Sequence, residues 1–292
     1  MITVLLVVQL AAALPPDSSL AARITARIAA VPAAQVSVAY VDLETRDTLY
    51  IRADTVMHAA STMKIPVMVQ LYRDAAAKSF SLDQGLMVVN HFASFADGSP
   101  FELVPSEDGD TTLYREAGNR VPIRRLIHLM ITRSSNLATD ILISLAGPDR
   151  INATLRSLGA DHTSVLRGVQ DIKAFDAGMI NTTTARDLAT ILTAIETGQA
   201  DNEASTRAMR DHLLADEFND RIPAGVPRGV KVAHKTGEIT AVAHDAAIVY
   251  PPGRKPYVLV VMTRGIPDLS VAAALTADIS RLVYARATGA AK

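Results

Sequence analysis

The sequence predicts an α/β (α+β) protein: a five-stranded antiparallel sheet flanked by the terminal helices, with an inserted all-helical domain. Three observations predict it. Alternating β-branched stretches occur only near the two ends of the chain. The middle is a succession of capped, helix-length segments. A long amphipathic segment closes the chain.

Ser18 can cap a helix to about residue 30, with Leu20, Ile24 and Ile28 on one face. Residues 35–43 (QVSVAYVDL) alternate, and 48–52 (TLYIR) form their hairpin partner across Glu44-Thr45-Arg46-Asp47. A helix is expected from Ser61 to about residue 77, and another over 122–130 with Pro122 in its first turn. Helices over 135–146, 149–158 and 184–197 end at Gly147-Pro148, Gly159 and Gly198, and 205–214 forms one more. Strands return at 230–236, 244–250 and 257–263, the last two joined by Pro251-Pro252-Gly253-Arg254. The final helix spans about 268–286, with Leu269, Ala273, Leu275, Ile279, Leu282 and Val283 as its apolar stripe. The expected partition is an α/β domain from 14–57 and 215–292, and a helical domain from 58–214. Residues 90–119 read as a mobile loop bearing Gly and Asp, and residues 167–181 lack periodicity; a loop that long within a compact domain is often functional.

Composition narrows the function. The chain has 292 residues, 49% hydrophobic and 20% charged, which suffices for a large core. Its 29 basic and 30 acidic residues give a net charge of -1 with no basic patch, aromatics are 4% and Trp is absent, which argues against a nucleic-acid partner. The absence of cysteine excludes disulfides, thiolate metal sites and a thiol nucleophile. Residues 2–14 are apolar apart from Thr3 and Gln9 and are too short to span a bilayer. They fit a signal peptide over 1–13, with Ala11-x-Ala13 for cleavage although no Lys or Arg precedes them; a buried N-terminal segment is the competing reading. A signal peptide implies a periplasmic or secreted protein with no stable membrane insertion of the mature chain. A monomer is expected.

Three short motifs carry chemistry. Ser61-Thr62-Met63-Lys64 opens a helix, where free N–H groups favour developing negative charge and Lys64 shares a face with Ser61. A lysine kept neutral by burial could take the serine proton. Alone, an S-x-x-K is expected by chance roughly once in a chain of this size. Ser134-Ser135-Asn136 precedes a helix and alone reads as an N-cap cluster. Lys235-Thr236-Gly237 ends a strand-like run; its cation and hydroxyl can hold a carboxylate, and Gly237 allows close approach. Each pattern occurs once, in the order S-x-x-K, S-x-N, K-T-G. The seven histidines show no metal-ligand spacing and no G-x-S-x-G elbow exists, so neither a metal nor another cofactor is implied.

With these motifs, the sequence resembles the class A β-lactamase family of the β-lactamase/transpeptidase-like fold. Residues 244–265 (HDAAIVYPPGRKPYVLVVMTRG) resemble the family's last two strands, and Asn181-Thr182-Thr183-Thr184 the segment after its active-site loop. The resemblance implies that Ser61 is the acylated nucleophile, Lys64 its base, and Ser134 the proton relay to the leaving nitrogen. It implies that Asn136 binds the substrate side-chain amide, that Lys235, Thr236 and Gly237 form the carboxylate-binding strand, and that the backbone N–H groups of Ser61 and Glu238 form the oxyanion hole. Two positions depart from the family. Ser135 stands where it has Asp. In the loop, Arg167 matches the family Arg, but Val169 stands at the position of the Glu that activates the deacylating water, and Lys173 at that of the following Asn. Asp171 is the nearest carboxylate able to replace the Glu; a turn or ion-pair role is its competing reading. Asp176 could pair with Arg167 to close the loop. The implied activity is β-lactam hydrolysis through an acyl-enzyme on Ser61, with slow turnover. A cell-wall D,D-peptidase or esterase, and a penicillin-binding or sensor domain that stays acylated, are the alternatives on the same scaffold.

Overall fold

A computed structural model describes residues 19–289; the expected signal peptide, 1–13, lies outside them. Helix α1 (Leu20–Ala29) leads into β1 (Gln35–Asp42) and β2 (Thr48–Ile51). After β3 (Met57–His58), a 3₁₀ turn over Ala60–Met63 feeds α2 (Lys64–Ala76). The long loop that follows carries β4 (Gly85–Met87), β5 (Phe92–Ala93), β6 (Pro100–Phe101) and β7 (Arg120–Pro122). Next come α3 (Ile123–Thr132), α4 (Asn136–Ala146), α5 (Pro148–Ser157), α6 (Ile172–Asp176), β8 (Thr182–Thr183), α7 (Ala185–Thr197) and α8 (Glu203–Leu214). The chain closes with β9 (Lys231–Ile239), β10 (Val242–Tyr250), β11 (Tyr257–Arg264) and α9 (Leu269–Thr288).

The predicted five-stranded antiparallel sheet is present, in the order β2-β1-β11-β10-β9. Strand alternation divides its side chains between two layers. Tyr257, Leu259 and Val261 face a core shared with Ile24 of α1 and Leu275, Ile279 and Val283 of α9. Val258, Val260 and Met262 face the opposite way, into a core that continues through α2, α3, α4 and α7. Helix α7, grouped with the helical domain in the sequence partition, therefore shares the core on the sheet's inner face. Its ends are conventional: the Thr184 hydroxyl accepts from Asp187 N–H at 3.0 Å, and Gly198 stops it at φ +76°. Among the described residues, no helix is long and apolar enough to cross a membrane.

Several local expectations change. Strand β9 does not stop at Thr236 but runs to Ile239, because Gly237 and Glu238 pair with His244 and Ala243 of β10. Sheet pairing overrides the glycine's weak strand propensity. The helix expected from Ser61 begins as 3₁₀ and becomes α-helical only at Lys64. Pro122 caps α3 instead of occupying its first turn. The loop 167–181 contains the short helix α6.

Candidate active site

Ser61, the expected nucleophile, is held by a strained turn. Ala60, immediately before Ser61, has φ +47°, a conformation that L-residues with a Cβ rarely adopt. His58 and His244 fix it. The Ala60 N–H donates to His58 Nδ1 at 2.9 Å, and His244 Nε2 donates to the His58 carbonyl at 2.9 Å. Burial pushes the His244 imidazole down to about 4 and lowers that of His58, so both act as neutral spacers. Strand β9 presses on the same turn. A Cβ at Gly237 would lie 2.9 Å from the backbone nitrogens of both Ser61 and Thr62, so only glycine fits without displacing that backbone.

Lys64 is fully buried at the start of α2. Its Nζ donates to the Ser134 carbonyl at 2.7 Å, the Ser134 Oγ at 3.1 Å and Asn136 Oδ1 at 3.0 Å. Burial and the positive charge of Lys235 lower it to about 7. A lysine at that value exchanges a proton readily near neutrality. Ser134 sits at φ +55°, a second strained residue at this site. A carboxylate from outside α4 meets the first N–H groups of that helix. Asp108 accepts from the N–H groups of Asn136 at 2.8 Å and Leu137 at 2.9 Å, and from the Tyr114 hydroxyl at 2.9 Å. Ser135 itself is the N-cap of α4, accepting from Ala138 N–H at 3.3 Å.

On β9, Lys235 is fully buried, 3.5 Å from the carboxylate of Asp216 and 5.7 Å from the centroid of the Phe218 ring. Burial lowers the lysine and raises the aspartate. His234 lies on the other face of the strand and contacts Asp245 at 3.1 Å. Arg221 runs beneath the strand end, donating to the His244 carbonyl at 3.0 Å and to the carboxylate of Glu238.

The 167–181 loop differs from expectation. Arg167 does not pair with Asp176. It donates to the carbonyls of Met179 and Gly168, each at 2.9 Å, and stacks on Phe175 at 5.2 Å. Asn181 closes the loop, accepting from Leu166 N–H at 2.7 Å and donating to the Arg167 carbonyl at 3.0 Å. Asp171, the nearest carboxylate to the position of the family Glu, is buried as the N-cap of α6. It accepts from Ser94 Oγ at 2.7 Å, Phe95 N–H at 2.8 Å and Ala174 N–H at 3.1 Å. Its lone pairs hold the loop together, and it is absent from the lining of the cleft at Ser61. Lys173 points outward to Asp97 at 3.2 Å and Ser99 at 2.8 Å.

Asp140 was not singled out by sequence. Buried on α4, it accepts from Val169 N–H at 2.6 Å, while its Oδ2 has no hydrogen-bond partner among the described residues. Burial raises its carboxyl well above the usual range. A Cβ at Gly168 would come within 2.7 Å of that carboxyl. The only signal in the sequence was its spacing, one helical turn after Asn136.

The cleft at Ser61 has two lobes. Ser61, Glu107, Asn136 and Glu238 line both. One lobe, about 360 Å³, is polar, with Ser134 and Thr236 in its wall. The other, about 380 Å³, runs under the loop past Met63, Val169, Ile172, Phe175 and Ile239.

Residues 19–287 match the model of the β-lactamase enzyme family. The chain is similar to β-lactamase AST-1 of Nocardia asteroides (31% identical, covering 86% of this chain and 78% of the relative). It is also similar to a β-lactamase of Streptomyces fradiae (28%; 83% and 78%). Among solved structures it is similar to PBP-A (TM-score 0.81, 26% identical, covering 95% of this chain and 100% of that one).

Proposed function

The chain belongs to the β-lactamase enzyme family, and on that premise we propose that it is a class A-like serine β-lactamase that opens the lactam amide through an acyl-enzyme on Ser61. The supporting observation is the convergence of Lys64 with Ser134 and Asn136 at 2.7–3.1 Å, across some seventy residues of sequence. Neutral Lys64 takes the Ser61 proton as Oγ attacks the carbonyl carbon. The oxyanion forms against the N–H groups of Ser61 and Glu238. Lys64 passes the proton through Ser134 to the departing nitrogen, and the carbon–nitrogen bond breaks. Asn136 holds the substrate's side-chain amide. Lys235 and Thr236 hold its carboxylate, with Gly237 keeping the strand close to the nucleophile.

Deacylation is slow in this reading. The loop residues lining the cleft are Arg167, Gly168, Val169, Gln170, Ile172, Phe175 and Asn181, none of them a carboxylate. That wall favours a long-lived acyl-enzyme, which brings the protein close to a penicillin-binding one. A D,D-peptidase or esterase would share the acylation step and differ in substrate. The N-terminal apolar run supports export as a periplasmic or secreted protein.

Intact-protein mass spectrometry after mixing with benzylpenicillin, alongside chromogenic cephalosporin hydrolysis, tests the proposal. One adduct mapping to the Ser61 peptide is expected, with a burst followed by a slow phase. Labelling that survives Ser61→Ala would refute the assignment of the nucleophile.

A further inference from the structure

We infer that a zinc ion binds between His128 of α3 and His212 of α8, at a pocket separate from the cleft at Ser61. The pocket encloses about 430 Å³, and Tyr72, Arg124, Arg125, His128, Asp211 and His212 stand in its wall. None of them lines either lobe of the cleft. The two imidazoles meet through like atoms. Their Nδ1 nitrogens are 3.4 Å apart and their ring centroids 5.6 Å. One proton can lie between two such nitrogens, and at this separation it makes a long hydrogen bond. The same separation fits a metal ion. Two nitrogens bound to a tetrahedral zinc at about 2.05 Å lie about 3.3 Å from each other. A square-planar ion with the same bond length needs about 2.9 Å. The pair leaves no spacing signal in the sequence, because its members are 84 residues apart.

The surroundings prepare both rings for a cation. His212 Nε2 lies 2.9 Å from the hydroxyl oxygen of Tyr72, on α2. With its proton on Nε2, His212 donates to that oxygen and turns the Nδ1 lone pair toward the ion, the outer contact that metal-bound histidines ordinarily make. Burial, with the charges of His128 and Arg124, pushes His212 down to about 4, so its ring is neutral near pH 7. The two arginines in the wall are paired elsewhere, Arg124 with Asp83 at 2.6 Å and Arg125 with Glu116 at 2.5 Å. Asp211 adds a carboxylate to the same wall. When the ion enters, the proton between the two Nδ1 atoms leaves to solvent and both lone pairs turn to the metal. Among the described residues, no group of three His, Cys, Asp or Glu could hold an ion, so water completes the coordination and the ion exchanges. It ties α3 to α8 near their C-terminal ends. There the Thr132 carbonyl accepts from Glu217 N–H at 3.0 Å, between Ser134 on one segment and Asp216 on the other. The ion thus braces the two segments without touching the reacting atoms.

Calorimetric titration of the chelator-stripped full chain with zinc sulfate tests this, with the melting temperature read with and without zinc. One zinc per chain is expected, together with a higher melting temperature, since the ion binds the folded form. His128→Ala should remove both effects; His128 is exposed, so the variant should fold, and its melting temperature without zinc checks that it does. Tyr72→Phe keeps both ligands and removes the outer contact, and should weaken zinc about 10- to 100-fold. Two results overturn the proposal: no zinc bound up to millimolar concentration, or equal zinc binding by the unaltered chain and His128→Ala. Neither result bears on Ser61, whose penicillin adduct is a separate measurement.

Discussion

The two walls that meet at Ser61 are organised oppositely. On the α4 side, Lys64, Ser134 and Asn136 converge on one another, and a buried ammonium has been brought to about 7. On the loop side, Asp171 is occupied by three donors, and Gly168 and Val169 cover Asp140 of α4. Val169, at the position of the family Glu, is among the loop residues that line the cleft. One wall is equipped to move a proton during ester formation; the other uses its carboxyl groups to hold shape. In the proposed mechanism, forming and clearing the acyl-enzyme are therefore separable steps.

The largest expected effect is on the first wall. Lys64→Met should slow acylation about 10²–10⁴-fold, the usual contribution of a positioned base. Stopped-flow acylation by a chromogenic cephalosporin checks it. In the unaltered protein the pH profile carries the sign. Lysine acts as base only when neutral, so acylation should rise about tenfold per unit below about 7 and level off above it. A flat profile from pH 5 to 8 would assign the proton transfer to another group.

The second effect sharpens the contrast from the other wall. Val169→Glu places a carboxyl where the loop has none, and should shorten the acyl-enzyme lifetime by up to about 10²–10⁴-fold while acylation changes little. Time-resolved mass spectrometry separates the two steps. An unchanged lifetime would mean that water has no access to the ester from that side.

A smaller effect is expected at Lys235. Its alanine variant should lose about 1.5–3 kcal/mol toward carboxylate-bearing β-lactams and much less toward neutral aryl esters. Equal losses would assign Lys235 to maintaining the charge balance with Asp216 instead of to substrate recognition.

Smallest is Asp171→Asn. Replacing a carboxylate that accepts from three donors should lower stability by about 1–2 kcal/mol in urea titration, with the acyl-enzyme lifetime unaltered. A lengthened lifetime would instead make Asp171 the deacylating base and break the comparison between the walls.

What could be read from the sequence was what repeats or caps. The alternation in β1, β10 and β11 and the Gly stops after α4, α5 and α7 located those elements closely, because their period and backbone chemistry are local. The three motifs were legible because the reaction demands particular side chains at close spacing. Asp108 was not, since it serves α4 from a segment 28 residues away. Nor were His58 and His244, whose work is to hold one turn: they carry no metal spacing, and their partnership crosses 186 residues. For Asp171 the sequence left a catalytic and a turn role open, and only tertiary contacts reveal the three donors that its lone pairs accept from. Glycine at 237 suggested a strand end, but the pairing with His244 carries β9 past it.

The sheet's centre pairs Gln35 with Arg264 and Asp42 with Tyr257. These partners come from opposite ends of the chain, so a ribosome must deliver nearly the whole polypeptide before β1 can meet β11. Contacts of such sequence separation make for slow folding, since loop closure precedes any gain from pairing. While synthesis continues, β1 and β2 remain a bare hairpin, which is at best marginally stable by itself. The sheet thus cannot close until its last strands emerge, and Ser61, whose turn leans on His244 and Gly237, acquires its geometry only at the end of that process.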